Sequence, residues 1–306
     1  MLEGKRYGVE HALSMYADSF VHLPAKGIYE EAILESVQEV ARKCHIYIIG
    51  LLPSIHFDGA EKSDSTLVTF HTVLGQEYRL DWEVPPELEL KQEDGYWFLS
   101  DHQANRYFIP EEQMMNRLIR TAEGTDFKVL YIGQAYGTDG SRNALDRLIK
   151  HETLQKIAVT GLPENYNLHL LLLEIHEDNR TLTLLNPRAN DNSSETSEER
   201  ISKGTAKLFN TSEEEKITLY EASLIRYFQP QYNKIFKDSF PSTNMKSLAD
   251  CYEKDFSAVM SEIYIDEIPF KLYSDYIEPQ HRHLAHFDLH KAEDRQVFFS
   301  GKHSEK

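Results

Sequence analysis

The sequence predicts an α+β protein, and two patterns carry that expectation. From His45 to Val84 the chain reads HIYIIGLLPSIHF and then STLVTFHTVLGQEYRLDWEV, rich in β-branched and aromatic residues and alternating at Leu67, Thr69, His71 and Val73. Elsewhere apolar residues recur at helical spacing, at Ala32, Ile33, Val37, Val40 and Ala41, and again at Leu219, Leu224, Ile225 and Phe228. At 306 residues the chain can bury a sizeable core, as two domains or as one domain with large additions.

Taken in order, His11 to Phe20 is expected as a short helix interrupted by Pro24. The β-rich region follows, with Asp58-Gly59 and Gly75-Gln76 as turn signals. His56 and His71 lie in it without acidic or cysteine partners at ligand spacing, which reads as core-edge or surface histidine. Pro85-Pro86 and the acidic ELELKQED mark a boundary, so residues 1–90 are expected as an N-terminal α+β domain. Gly95 to Leu99 (GYWFL) is a short aromatic strand, and Pro110 to Ala122 a helix with Pro in its first turn.

Val129 to Ile132 is an apolar strand running into Gly133. A polar Gly-rich loop then leads to a helix over Asn143 to His151, which would place Arg147 and His151, four apart, on one face. Leu168 to Ile175 (LHLLLLEI) is expected as a central buried strand with Arg180 to Leu185 as its hairpin partner. Asn190 to Lys203 reads as a polar loop whose basic exit, Lys203 and Lys207, could meet phosphate. A capping box at Ser212 to Glu215 then opens a helix that ends before Pro230. Residues 241–306 form a C-terminal extension, with Phe256 to Ile265 as helix or strand. Its His281, His283, His286 and His290 gather on no single face and read as solvated rather than metal-binding.

Fifty acidic against 33 basic side chains give a net charge of −17, which works against free affinity for a polyanion. Cys44 and Cys251 make no ligand cluster and are expected as reduced, partly buried thiols. No apolar run is long enough for a membrane span and no secretory leader is visible, so the expected location is cytoplasmic, with no membrane partner.

Two stretches concentrate the chemistry. A guanidinium at Arg147 beside an imidazole at His151 can contact phosphate, and Glu221, in mid-helix beside an apolar stripe, is either an exposed helix glutamate or a hard-metal ligand. Tyr131-Ile132-Gly133 on a strand, Arg-x-x-x-His after it, and a later helix with Glu221 before Leu-Ile and ending Gln-Pro-Gln-Tyr-Asn together resemble the GIY-YIG nuclease superfamily, which includes homing and restriction endonucleases and the UvrC repair nuclease. The likeness covers roughly Gly95 to Asn233, in two short blocks.

That resemblance implies a small mixed or antiparallel central sheet flanked by helices. It places a nuclease-like domain over residues 91–240, with insertions at about 100–125 and 186–212. It further implies a divalent-metal-dependent endonuclease acting on DNA, in a setting such as restriction or anti-phage defence. By resemblance Glu221 holds Mg2+ or Mn2+, Arg147 clamps the scissile phosphate, Asn233 supports the site by hydrogen bonds, and Tyr131 and His151 assist a first tyrosine that activates water. For that first tyrosine the chain offers Gly-Tyr-Trp where the family has Gly-x-Tyr. Trp97 therefore holds the position unless the register slips to Tyr96, with Tyr107 as the other candidate. The acidic charge leaves an oligomer or a protein partner to offset it, and also leaves open a binding module of the same fold with weak or no catalysis.

Overall fold

Leu168 to Leu173 are all buried, a pattern that requires cover on both faces, and the strand they form sits in the middle of the main sheet. The computed structural model describes residues 8–135, 144–176, 180–185, 197–203, 212–234 and 256–289, with single residues at 189, 193, 206, 237 and 251. In spatial order the sheet runs β13 (Leu272–Tyr273), β9 (Phe127–Gln134), β2 (Ile46–Pro53), β10 (Tyr166–Ile175), β1 (Val9–Pro24), β12 (Ala258–Tyr264) and β14 (Arg282–Asp288), and β11 (Arg180–Leu185) also pairs with β1. The β13–β9 and β1–β12 pairs are parallel; the others are antiparallel.

The period-two rule splits the core between the two faces. Tyr47, Ile49 and Leu51 of β2, with Leu170 and Leu172 of β10, face α1 (Glu31–Ala41), α3 (Ala144–Leu148) and α4 (Glu152–Thr160). Ile46, Ile48 and Leu52, with Leu171 and Leu173, lie under the helix Glu213–Phe228, which presents Ile217, Leu224 and Phe228. Each such side chain contributes roughly 1.5–3 kcal/mol on burial. A further helical stretch, α5, covers 197–203, so the helix on the second face is α6. Ser212 closes the capping box expected for α6, and Gln229 ends it in the left-handed conformation just before Pro230.

Between Pro53 of β2 and Phe127 of β9 the chain makes a long excursion. It holds two three-stranded antiparallel sheets, one of β3 (Ile55–Ser63), β4 (Thr66–Val73) and β5 (Gln76–Glu83), the other of β6 (Glu89–Glu93), β7 (Tyr96–Ser100) and β8 (Arg106–Tyr107). Ala60, Leu67 and Leu99 are buried between them, packed by Trp82 and Trp97. Helix α2 (Glu111–Thr121) returns the chain, with Arg117 stacked 4.6 Å over Trp82 and donating 2.7 Å to the Asp81 carbonyl.

Several expectations need correction. His11 to Phe20 is strand, not helix, because β1 has partners along both edges and buries every residue from Val9 to Leu13, so pairing overrides local propensity. Residues 1–90 do not separate from the rest, since β1 and β2 are interior strands of the same sheet as β9 and β10, and β12, β13 and β14 of the C-terminal stretch join it too. Strand β11 pairs with β1 rather than with β10. Asp58-Gly59 is a bulge inside β3, not a turn; the β3–β4 turn falls at Asp64, with φ of 50°.

Candidate active site

Strands β2 and β9 pair so that Tyr47 lies opposite Gly133 and Ile49 opposite Tyr131. The two phenols therefore share one face of the sheet, their rings stacked with centroids 6.2 Å apart. Gly133 is required here: a Cβ on it would stand 2.5 Å from the Cζ and Oη of Tyr47 and 2.8 Å from Tyr131 Cε1. The Gly of Tyr-Ile-Gly is thus the floor on which the first ring lies.

His151 arrives by a helix break. The single helix expected over Asn143 to His151 ends at Leu148, its first residue lies outside the described set, and His151, with ψ of 111°, is instead the N-cap of α4. Arg147 and His151 consequently do not share one helical face. The imidazole Nδ1 accepts the Leu154 backbone N–H at 3.2 Å, while Nε2 lies 2.9 Å from the Tyr47 hydroxyl. Burial first, and the Arg147 charge second, lower the ring to about 4, so it is neutral at pH 7. A neutral ring that accepts at Nδ1 carries its proton on Nε2. His151 therefore donates to the Tyr47 oxygen and leaves the phenol's own proton free to go elsewhere.

Arg147 is exposed on α3 and close enough to act on Tyr47, Tyr131, His151 and Glu221 together. Burial raises both phenols. For Tyr47 the neighbouring Tyr131 adds to the rise and Arg147 opposes it; for Tyr131 the charge of Glu221 adds and Arg147 again opposes. Glu221 keeps a partial opening to solvent, yet desolvation pushes its carboxyl up to about 8, against a hydrogen bond from the Gln134 backbone and the pull of Arg147. Arg147 thus offsets the burial of this carboxyl only in part.

The α6 terminus holds this group against the outer edge of β9, which β13 covers only at Phe127 and Lys128. Farther along, Tyr232 N–H donates to Leu130 O at 3.0 Å. The Asn233 side chain accepts from Ile132 N–H at 2.9 Å and donates to Ile132 O at 2.8 Å. The Gln134 backbone bond to Glu221 continues the series. The segment after α6 thus substitutes for a missing strand, and Glu221, earlier in α6, meets the same strand at Gln134. Asn233, buried, is a strand-edge clamp; the helix stop is Gln229.

Of the residues chosen from sequence, Tyr131, Arg147, His151, Glu221 and Asn233 gather at this end of β9. Tyr96 does not: it lies on β7 in a separate sheet, 71% exposed, and β7 pairs with β6 and β8 rather than with β9. Trp97 is on the same strand, and Tyr107 on β8 donates its hydroxyl to Asp101. Sequence reasoning missed Tyr47. Its signal was there in His45-Ile46-Tyr47 on a strongly apolar strand, hidden by the stretch that parts β2 from β9.

Among the described residues no group of three or more His, Cys, Asp or Glu side chains gathers as a metal cluster. His283 is committed to the Leu272 and Gln280 carbonyls, and His290 and Lys207 lie outside the described residues. Lys203 pairs with Glu199 at 2.6 Å. Comparison with protein-family models, with curated proteins and with solved structures yields no match.

Proposed function

We propose that the protein is a divalent-metal-dependent endonuclease of the GIY-YIG type that hydrolyses phosphodiester bonds of DNA, with Tyr47 as the first tyrosine of the motif. The observation that carries this reading is the convergence of a carboxyl whose burial is only partly offset, an exposed guanidinium and a phenol held by a neutral imidazole at one end of β2 and β9. Three tasks of phosphodiester hydrolysis find a residue there: binding the phosphoryl oxygens, orienting a water in line, and meeting the leaving oxygen.

Arg147 binds the phosphate as a planar donor fork. Tyr47 activates the water: its proton passes to solvent before the reaction, and the phenolate is held by the hydrogen bond from His151 Nε2–H. The phenolate takes a proton from the water as the water oxygen bonds to phosphorus and the bond from phosphorus to the 3′ oxygen breaks, that oxygen being protonated from solvent. His151 is then a positioning residue, which stabilises the phenolate and holds α4. Tyr131 packs beside both rings, its centroid 5.1 Å from that of the imidazole and 6.2 Å from that of Tyr47, and narrows the space open to the water. Glu221 fits Mg2+ or Mn2+, because a hard cation supplies the positive charge that Arg147 provides only in part. When bound, such an ion neutralises charge on the leaving 3′ oxygen. Loss of the Glu221 charge also removes one of the influences that raise Tyr131 and Tyr47.

The test is cleavage of plasmid, single-stranded DNA and RNA with Mg2+ or Mn2+. Wild type cuts, and Tyr47→Phe and Glu221→Gln each lose roughly 10²- to 10⁴-fold in rate. Full activity in either variant rejects the assignment. The net charge of −17 favours a second reading, a binding module of the same fold, and that reading stands if the wild type binds the substrates and cuts none of them.

A further inference from the structure

The excursion between β2 and β9 has a feature that the site does not use. A cleft of about 220 Å³ opens between its two small sheets, walled by Phe57, Tyr96, Trp97, Phe98, Tyr107 and Phe108. The aromatic wall is not closed over: Phe108 is 59% exposed, Phe57 and Tyr107 are also exposed, and so is Tyr96. Among the described residues neither the Tyr96 hydroxyl nor the Trp97 indole N–H makes a hydrogen bond, whereas the indole of Trp82 is spent on Thr69 Oγ1 at 2.9 Å. Trp97 is half-buried, and a Trp in that position ordinarily places its N–H on a partner.

Charge decides what fits. Residues 55–109 carry eleven acidic and four basic side chains, and acids adjoin the lining residues in the chain: Asp58, which accepts from Thr72, follows Phe57, and Asp94 precedes Gly95 and Tyr96, while Glu93 is paired with Arg106. A phosphate backbone is repelled by such an acidic segment. The wall already accepts a guanidinium, since Arg106 stacks 4.4 Å over the Phe98 ring while pairing with Glu93. An aromatic trough with free hydroxyl and indole donors suits an extended proline-rich helix, whose carbonyls point outward and whose ordering costs little; acids beside it select basic residues in the ligand.

We propose that this cleft docks a proline-rich, arginine- or lysine-bearing segment of a partner protein. Its place in the fold agrees with recruitment rather than catalysis. The excursion leaves the sheet at Pro53 and returns at Phe127, the end of β2 opposite Tyr47, about 20 Å away at ~3.3 Å per residue. A basic partner held there would bring positive charge to an acidic body without obstructing the site.

The experiment uses the full chain and three fluorescein-labelled probes of matched length: a peptide of roughly a dozen residues with Pro-x-x-Pro repeats flanked by arginines, the same peptide with glutamates for arginines, and an oligothymidylate. The basic peptide binds, and the acidic peptide and the oligonucleotide bind at least about tenfold more weakly. Tyr96→Ala and Phe108→Ala, both at exposed positions, each weaken the basic peptide by about tenfold or more with unchanged thermal unfolding. Asp94→Lys weakens it as well. Tyr47→Phe binds it as wild type does, so the outcome is independent of whether the protein cleaves nucleic acid. Equal binding of the acidic peptide, an oligonucleotide bound more tightly and lost in Tyr96→Ala, or no binding of the basic peptide overturns the proposal.

Discussion

At the scale of single residues, the imidazole of His151 has two duties that substitution can separate. Its Nδ1 caps α4 and its Nε2–H supports the Tyr47 oxygen. Asparagine caps a helix well but cannot reach that oxygen. His151→Asn is therefore expected to keep the wild-type melting temperature, lose roughly 10- to 100-fold in cleavage rate as one hydrogen bond to a charged group disappears, and shift its pH optimum upward. His151→Ala should lose that and about 1 kcal/mol of stability besides. An Asn variant as fast as wild type would sink the positioning role. Glu221 gives a second prediction, with a definite sign. Its folded-state value of about 8 lies above the ~4.3 of an unfolded glutamate, so the folded chain holds a proton that the unfolded chain releases. That contribution to stability is complete below ~4.3 and is lost as pH rises through about 8. Metal-free wild type should melt at falling temperature from pH 5 to 9, Glu221→Gln should show a flatter profile, and Mg2+ should restore stability most at the alkaline end. Parallel profiles for the two proteins would contradict the buried-carboxyl picture.

At the scale of elements, the edge of β9 determines whether the site exists. Asn233 satisfies both backbone groups of Ile132 from one side chain, and nothing else among the described residues bonds that edge at that point. Asn233→Ala leaves a buried donor and acceptor unsatisfied at about 1–3 kcal/mol each. We expect a clear drop in melting temperature together with reduced cleavage, because the chain that anchors Glu221 loosens from β9. Unchanged stability would mean that the clamp is dispensable. Here the sequence was legible wherever a local rule acted. The capping box of α6, the central strand β10 and the Pro-led α2 follow from short-range chemistry. It was illegible where long-range pairing decided. His11 to Phe20 became β1 only because β10, β11 and β12 supply partners more than a hundred residues away. The helix breaks at Leu148, and His151 caps α4 instead of lying one turn from Arg147 on a shared face.

At the scale of the whole molecule, the same contrast explains Tyr47. Five of the chosen site residues lie on β9 or later, and all five share one place. The sixth, Tyr96, rests on the likeness of Gly-Tyr-Trp to the family's Gly-x-Tyr, but the two strands that matter pair across the whole excursion of residues 54–126. Pro85-Pro86 marks a junction inside that excursion, between β5 and β6, which is why a real local break was read as a domain boundary. The acidic body has its own consequence for binding. Among the described residues the exposed cations next to the site include Arg147, Lys150 just beyond α3, and Lys234 directly after Asn233, so few phosphates are neutralised. With Z of about one to three, the plot of log K against log[salt] for duplex DNA should have a shallow slope, roughly −1 to −3. This is measured by anisotropy titration of a labelled duplex across salt concentrations with the Glu221→Gln variant. A slope of about −6 or steeper would require an extended basic surface, which the described residues do not provide, and would mean that self-association or another segment of the chain makes the substrate contact.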